Sequence, residues 1–181
     1  ELAPNQDDFF ITFTVNEGDQ YRYGTVEIVS AIDRLDPTTL STDTELDTGD
    51  VYDAEEVENL VQELTDAAES RGFPFIDVEP QVTRDREGRV IDVVVELREA
   101  PRVFVERIDV EGNVRTLDKV IRREFTLVEG DPFNPAKVRR SRARVQNLGF
   151  FETVEITNEP GSAPDKTVVK VKVQEQSTGS L

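Results

Sequence analysis

The chain has 181 residues, with 21 Lys/Arg against 38 Asp/Glu and neither His nor Cys. The usual general base, the thiol nucleophile, disulfides and most transition-metal ligands are therefore missing, so no catalytic residue, metal or cofactor is assigned and an enzyme is not expected. Residues 1–100 hold 7 Lys/Arg and 26 Asp/Glu, and residues 101–181 hold 14 and 12, so the first half repels nucleic acid and anionic lipid.

Phe9, Ile11, Phe13 and Val15 alternate with Phe10, Thr12 and Thr14, the period of a strand. Glu17-Gly18-Asp19 ends it, and nothing earlier is available to pair with it, so it reads as the last strand of a preceding unit. Tyr23–Ser30 is the next strand. Asp36-Pro37-Thr38 opens a predicted short helix reaching about Leu46. Asp53 with Glu56 makes a capping-box pattern, and Val57, Leu60, Val61, Leu64 and Ala68 follow at helical spacing. Gly72 is placed to end that helix in a left-handed cap. Phe75–Thr83 and Val90–Leu97 flank the turn Arg84–Arg89 as a hairpin, with Ile91, Val93, Val95 and Leu97 on one face.

The pattern then repeats. Leu46-Asp47-Thr48-Gly49-Asp50-Val51-Tyr52 returns 81 residues later as Leu127-Val128-Glu129-Gly130-Asp131-Pro132-Phe133. A period near 80 is too long for a solenoid and suits two small tandem domains. The second copy opens with the strand Phe104–Val110, broken by Gly112-Asn113. Thr116 is the predicted cap of a helix carrying Leu117, Val120, Ile121 and Phe125. Asn134-Pro135 starts a helix with Val138, Val145 and Leu148, stopped by Gly149. Phe150–Thr157 and Thr167–Val173 close the unit, with Val169, Val171 and Val173 toward the core. The order β-α-α-β-β predicts an α+β unit, a three-stranded sheet covered on one face by two helices. The expected boundaries are 1–20, 21–100, 101–176 and 177–181.

Three features invite a functional reading. Asp43 to Ala54 is acidic like a calcium loop, but glycine falls at the seventh position and alanine at the twelfth, so it reads as an inter-helix turn. Lys137, Arg139, Arg140, Arg142 and Arg144 make one helix basic. It is either a contact for an acidic partner or headgroups, or a solvated face balancing the acidic half. Each sheet must have two edges, and an exposed edge can accept an extended peptide by β-augmentation. The candidates are Phe75, Asp77 and Glu79 in the first copy and Phe151, Thr153 and Glu155 in the second.

The residues Glu111-Gly112-Asn113, Ile121-Arg122-Arg123-Glu124, Glu129-Gly130 and Asn147-Leu148-Gly149-Phe150-Phe151-Glu152-Thr153-Val154 together resemble a POTRA domain. Asn16 to Tyr21, and Val173 to Ser180, resemble the junctions of the BamA family of outer-membrane protein assembly factors. The resemblance implies the tail strand of a third POTRA domain (1–20), the fourth (21–100) and fifth (101–176), and the start of the link to a β-barrel (177–181). It implies a non-catalytic periplasmic arm, anchored at the outer membrane by that barrel, that binds accessory lipoproteins and guides nascent outer-membrane proteins to it. It also implies docking of a BamD-type lipoprotein on the second full domain through Arg122, Arg123, Glu124 and Glu129. Alternatives are the arm of a two-partner secretion or TamA-type transporter, or a scaffold without a barrel.

Overall fold

The computed structural model describes residues 18–176. The predicted strand Phe9–Val15 and the linker 177–181 lie outside the described residues. The first unit is built from β1 (Arg22–Ser30), a 3-10 turn (Pro37–Thr39), α1 (Ala54–Ser70), β2 (Ile76–Asp85) and β3 (Val90–Glu99). The second has β4 (Phe104–Glu111), α2 (Asp118–Arg122), α3 (Pro135–Asn147), β5 (Phe151–Pro160) and β6 (Lys166–Glu175). Each unit forms its own three-stranded sheet, in orders β1-β3-β2 and β4-β6-β5. The central strand pairs parallel with the first strand and antiparallel with its hairpin partner. The architecture is α+β.

Local chemistry sets the helix ends. Asp53 accepts from the Glu55 N–H at 2.8 Å, and Glu55 and Glu56 sit in the positive first turn of α1. At the other end Gly72 takes φ 91°. Phe73 N–H reaches Ala68 C=O and Gly72 N–H reaches Glu69 C=O, which satisfies carbonyls the helix leaves unpaired. Asn134 caps α3 through the Lys137 N–H, with Pro135 at its first position. Ile91, Val93, Val95 and Leu97 are buried under Val57, Leu60, Val61, Leu64 and Ala68. In the second unit Val169, Val171 and Val173 pack with Ile121, Val145 and Phe151.

The repeated heptapeptide has a structural job in both copies. Gly49 (φ 97°) and Gly130 (φ 96°) turn a strap back onto the outer edge of the first strand. Gly49 N–H donates to Tyr23 C=O and Tyr23 N–H donates to Asp50 C=O; Gly130, Val105 and Asp131 repeat the pair. The strap thus protects the start of β1 and of β4.

Two predicted helices differ. The helix expected from Asp36 to Leu46 is only the 3-10 turn Pro37–Thr39, followed by irregular chain. Residues 41–44 are Ser, Thr, Asp and Thr, which favour local side-chain bonds over helix. The Glu63 carboxylate then accepts the Asp43 and Thr44 N–H groups at 2.8 and 2.9 Å and the Thr44 hydroxyl at 2.9 Å. In the second copy α2 starts without a side-chain cap and Leu117 is exposed. Thr116 is no cap: its N–H and that of Arg115 are taken by the Glu175 carboxylate.

Candidate binding edges and the joint between the units

β2 and β5 are edge strands, and their ladders show which backbone groups face outward. Phe75 C=O accepts from Ala100 N–H, so the odd-numbered positions of β2 face β3. Ile76, Val78, Pro80, Val82 and Arg84 therefore present their backbone to the open side. In β5, Gly161 N–H donates to Lys166 C=O, and the outward positions are Val154, Ile156 and Asn158. Proline is tolerated at position 80 because no ladder donor is required there, and it removes one from the open edge.

The helix α3 lies against both edges. Arg139 Nη2 donates to Val78 C=O at 2.8 Å, and Arg142 Nε donates to Val154 C=O at 3.0 Å. Each guanidinium thus satisfies one carbonyl that an added strand would use. The open stretch of β2 begins after Val78 and that of β5 after Val154.

The candidate edge residues of the sequence fall differently around these strands. Phe75 precedes β2 and packs edge-to-face on Phe104 of the second unit, with ring centroids 5.4 Å apart. Asp77 is buried, its side chain 8% exposed, and accepts from Arg98 (3.0 Å) and Arg139 (2.8 Å). Glu79 is paired with Arg98. Phe151 is fully buried, whereas Thr153 and Glu155 are exposed. Only Thr153 and Glu155 of the six thus lie free on the surface of an edge strand.

The basic helix is solvated at Arg142 and Arg144, and part of it, from Lys137 to Arg140, forms the joint with the acidic half. Besides the Arg139 contacts, Lys137 pairs with Glu69 at 2.8 Å, and Asn134 donates to the same carboxylate at 3.1 Å. Arg140 buries its Nη1 beside a cavity of about 30 Å³ between α1 and α3, where Nη1 has no partner among the described residues. Glu58, on α1, is pushed above the usual carboxylate range by burial, opposed in part by Arg140 and Arg139. The sequence signal for this joint was the acidic first half together with the basic helix of the second, which had a use inside the molecule.

Arg122, Arg123, Glu124 and Glu129 form two short ion-pair chains. Arg122 bridges Asp118 (2.5 Å) and Glu129 (3.6 Å). Glu124 bridges Arg123 and Arg144, both at 3.1 Å. The first chain also finishes the edge of β4. Glu129 Oε1 accepts the Ile108 N–H at 3.2 Å, and Arg122 Nη2 donates to Ile108 C=O at 2.6 Å. An acid and a base together make the two bonds that a neighbouring strand would make. Arg123 is the most exposed of the four, with 64% of its side chain accessible.

Three surface carboxylates hold loops through backbone donors and are held below their usual range by them. These are Glu63 through Thr44, Glu106 through Ser162 and Glu175 through Thr116. Among the described residues no group of His, Cys, Asp or Glu is arranged to hold a metal ion. No described helix is long and apolar enough to cross a membrane, which says nothing of a β-barrel. The geometry is that of open backbone edges bordered by charged caps.

The family model POTRA, described as a surface antigen variable number repeat, matches residues 21–100 and again 103–176. An outer membrane protein assembly factor BamA of Neorickettsia risticii is 33% identical over all of this chain, which covers 24% of that protein. The BamA of Nitratidesulfovibrio vulgaris is 31% identical over 97% of this chain and 23% of its own length. The chain therefore spans about a quarter of the length of these curated relatives. A solved structure of Haemophilus ducreyi BamA lacking POTRA domains 1–3 is 24% identical, with TM-score 0.48, over 88% of this chain and 30% of that one.

Proposed function

The chain belongs to the POTRA family, both units matching its model, and on that premise we propose that it is the fourth and fifth POTRA domains of a periplasmic arm of the BamA type. The arm belongs to an outer-membrane protein anchored by a β-barrel. It receives nascent outer-membrane proteins as extended segments along its sheet edges and passes them to the barrel. A BamD-type lipoprotein docks on the second unit at the charged group Arg122, Arg123, Glu124 and Glu129. The work is binding, and no step of chemistry is required.

The observation that carries the reading is the pair of open edge strands, each partly satisfied by an arginine of α3 and otherwise left with outward backbone groups. Such an edge binds through main-chain hydrogen bonds, so it tolerates many sequences and releases them easily. The test is amide exchange of this chain with and without an unfolded outer-membrane protein. Protection is expected at Val82 and Arg84 of β2 and at Ile156 and Asn158 of β5. Binding with no protection on either edge refutes the client reading. For the lipoprotein, Arg123→Glu is the cleaner probe, because Arg123 touches no strand. It slows association and raises the sensitivity to salt; unchanged rates at two salt concentrations refute the docking assignment.

A further inference from the structure

The two copies finish the outer edge of their first strand differently. In the second, the Arg122–Glu129 pair occupies Ile108. The matching position in the first copy is Val26, and Thr48 stands where Glu129 does. Thr48 instead donates its hydroxyl to Gly24 C=O at 2.7 Å. Ala31 N–H donates to Leu97 C=O, so by alternation Glu27 and Val29 turn their backbone to β3 while Val26 and Ile28 turn theirs outward. No partner on that side is found for Val26 or Ile28 among the described residues. Beside them lies a groove of about 430 Å³ between β1 and the irregular segment after the 3-10 turn. Val26, Ile28, Leu46 and Leu60 supply apolar lining; Glu45 and Asp47 supply charge, and no Lys or Arg lines it.

We propose that this β1 edge is a further docking site, distinct from the β2 and β5 edges, for a cationic extended segment of another protein with apolar residues at alternate positions. The added strand pairs with the N–H and C=O groups of Val26 and Ile28, turns its apolar side chains into the groove, and sets its Lys or Arg beside Glu45 and Asp47. Charge selects the occupant. Residues 21–100 hold 7 Lys/Arg and 21 Asp/Glu. The chain's own alternating segment Phe9–Val15 is flanked by Asp7, Asp8, Glu17 and Asp19, the wrong sign for this groove. The site rests on the reading that POTRA sheet edges accept extended chains, and its test separates the two.

The second copy supplies the test. Thr48→Glu places a carboxylate where Glu129 stands, within reach of the Val26 N–H. The probe is a labelled nine-residue peptide alternating valine and lysine, titrated into the 181-residue chain. Comparators are a valine–glutamate peptide and a peptide of residues 7–19. Thr48→Glu is expected to weaken the cationic peptide about tenfold, the scale of one or two blocked backbone hydrogen bonds. Charge alone would act the other way, since the substitution makes the site more acidic. Thr48→Ala, which removes the hydroxyl without a plug, is expected to bind as wild type. The peptide should slow exchange of the Val26 and Ile28 amides, and both comparators should bind more weakly. Equal or tighter binding to Thr48→Glu, an equal loss in Thr48→Ala, or tighter binding of either comparator overturns the proposal. Protection confined to β2 and β5 overturns this site and leaves the edge-binding reading intact. Binding with no amide protected anywhere overturns both.

Discussion

Replacing Arg139 by alanine should loosen the joint between the two units without touching either core. The side chain makes two hydrogen bonds from one guanidinium nitrogen, to Asp77 Oδ1 and to Val78 C=O, both at 2.8 Å. A bond to or from a charged group contributes about 1.5–3 kcal/mol where the partner is dry. Asp77 is nearly dry, but Arg139 is 41% exposed, and water replaces part of what is lost. Arg98 still holds the other oxygen of Asp77. The net loss is therefore about 2 kcal/mol. At about 2–4 °C per kcal/mol for a chain of this size, the melting temperature should fall by about 4–8 °C. The assay is thermal melting by circular dichroism, with Arg123→Ala as the exposed control. Asp77→Asn and the double variant close a cycle in which about 1–2 kcal/mol of coupling is expected. A fall below about 1 °C, or one equal to that of Arg123→Ala, would refute the idea that this pair fastens the units.

Three further outcomes can be measured. Gly112→Ala should lower stability by about 1–3 kcal/mol, because Gly112 sits at φ 88° and a Cβ there runs into the Val173 carbonyl oxygen; an unchanged melt would count against it. Glu58→Gln should stabilise the chain at neutral pH. The folded pKa of Glu58 lies above its ordinary 4.5, so its favourable contribution is complete below pH 4.5 and is lost as pH rises through the folded value; variant and wild type should therefore converge in acid, and a gap that widens in acid would reverse the sign. Pro80→Val should restore an outward N–H on β2 and promote self-association at high concentration, read by analytical ultracentrifugation; a strictly monomeric variant would mean that the proline does not guard the edge.

Much of the fold was legible because the signals are local. The alternation Ile91-Val93-Val95-Leu97, the Asp53 and Asn134 caps and the glycines at 72 and 149 act within a few residues of themselves. Residues 36–46 misled because a helix start at Asp36-Pro37 is cancelled by Glu63, some 20 residues away, which captures the Asp43 and Thr44 amides. The same holds for Thr116, whose amide goes to Glu175, 59 residues on. The candidate edge was legible as a strand, but which residues face out depends on register. Asp77 read as an exposed edge residue and is a buried acceptor, because Arg139 comes from a helix 62 residues later. Arg122 and Glu129 were named only through the family resemblance, as docking residues; their pairing and their bonds to Ile108 are visible only once β4 is placed beside them.

The helix α3 touches both units, and this makes it a mechanical link. Its 13 residues span about 20 Å. Near its C-terminal end Arg144 holds Glu124, next to the exposed Arg123. One to two turns earlier Arg139 holds Asp77 and the carbonyl of Val78, where the free run of β2 begins. The Arg123–Glu124 corner and the neighbouring unit's edge are thereby held by one helix, at positions five residues and about 7.5 Å apart along its axis.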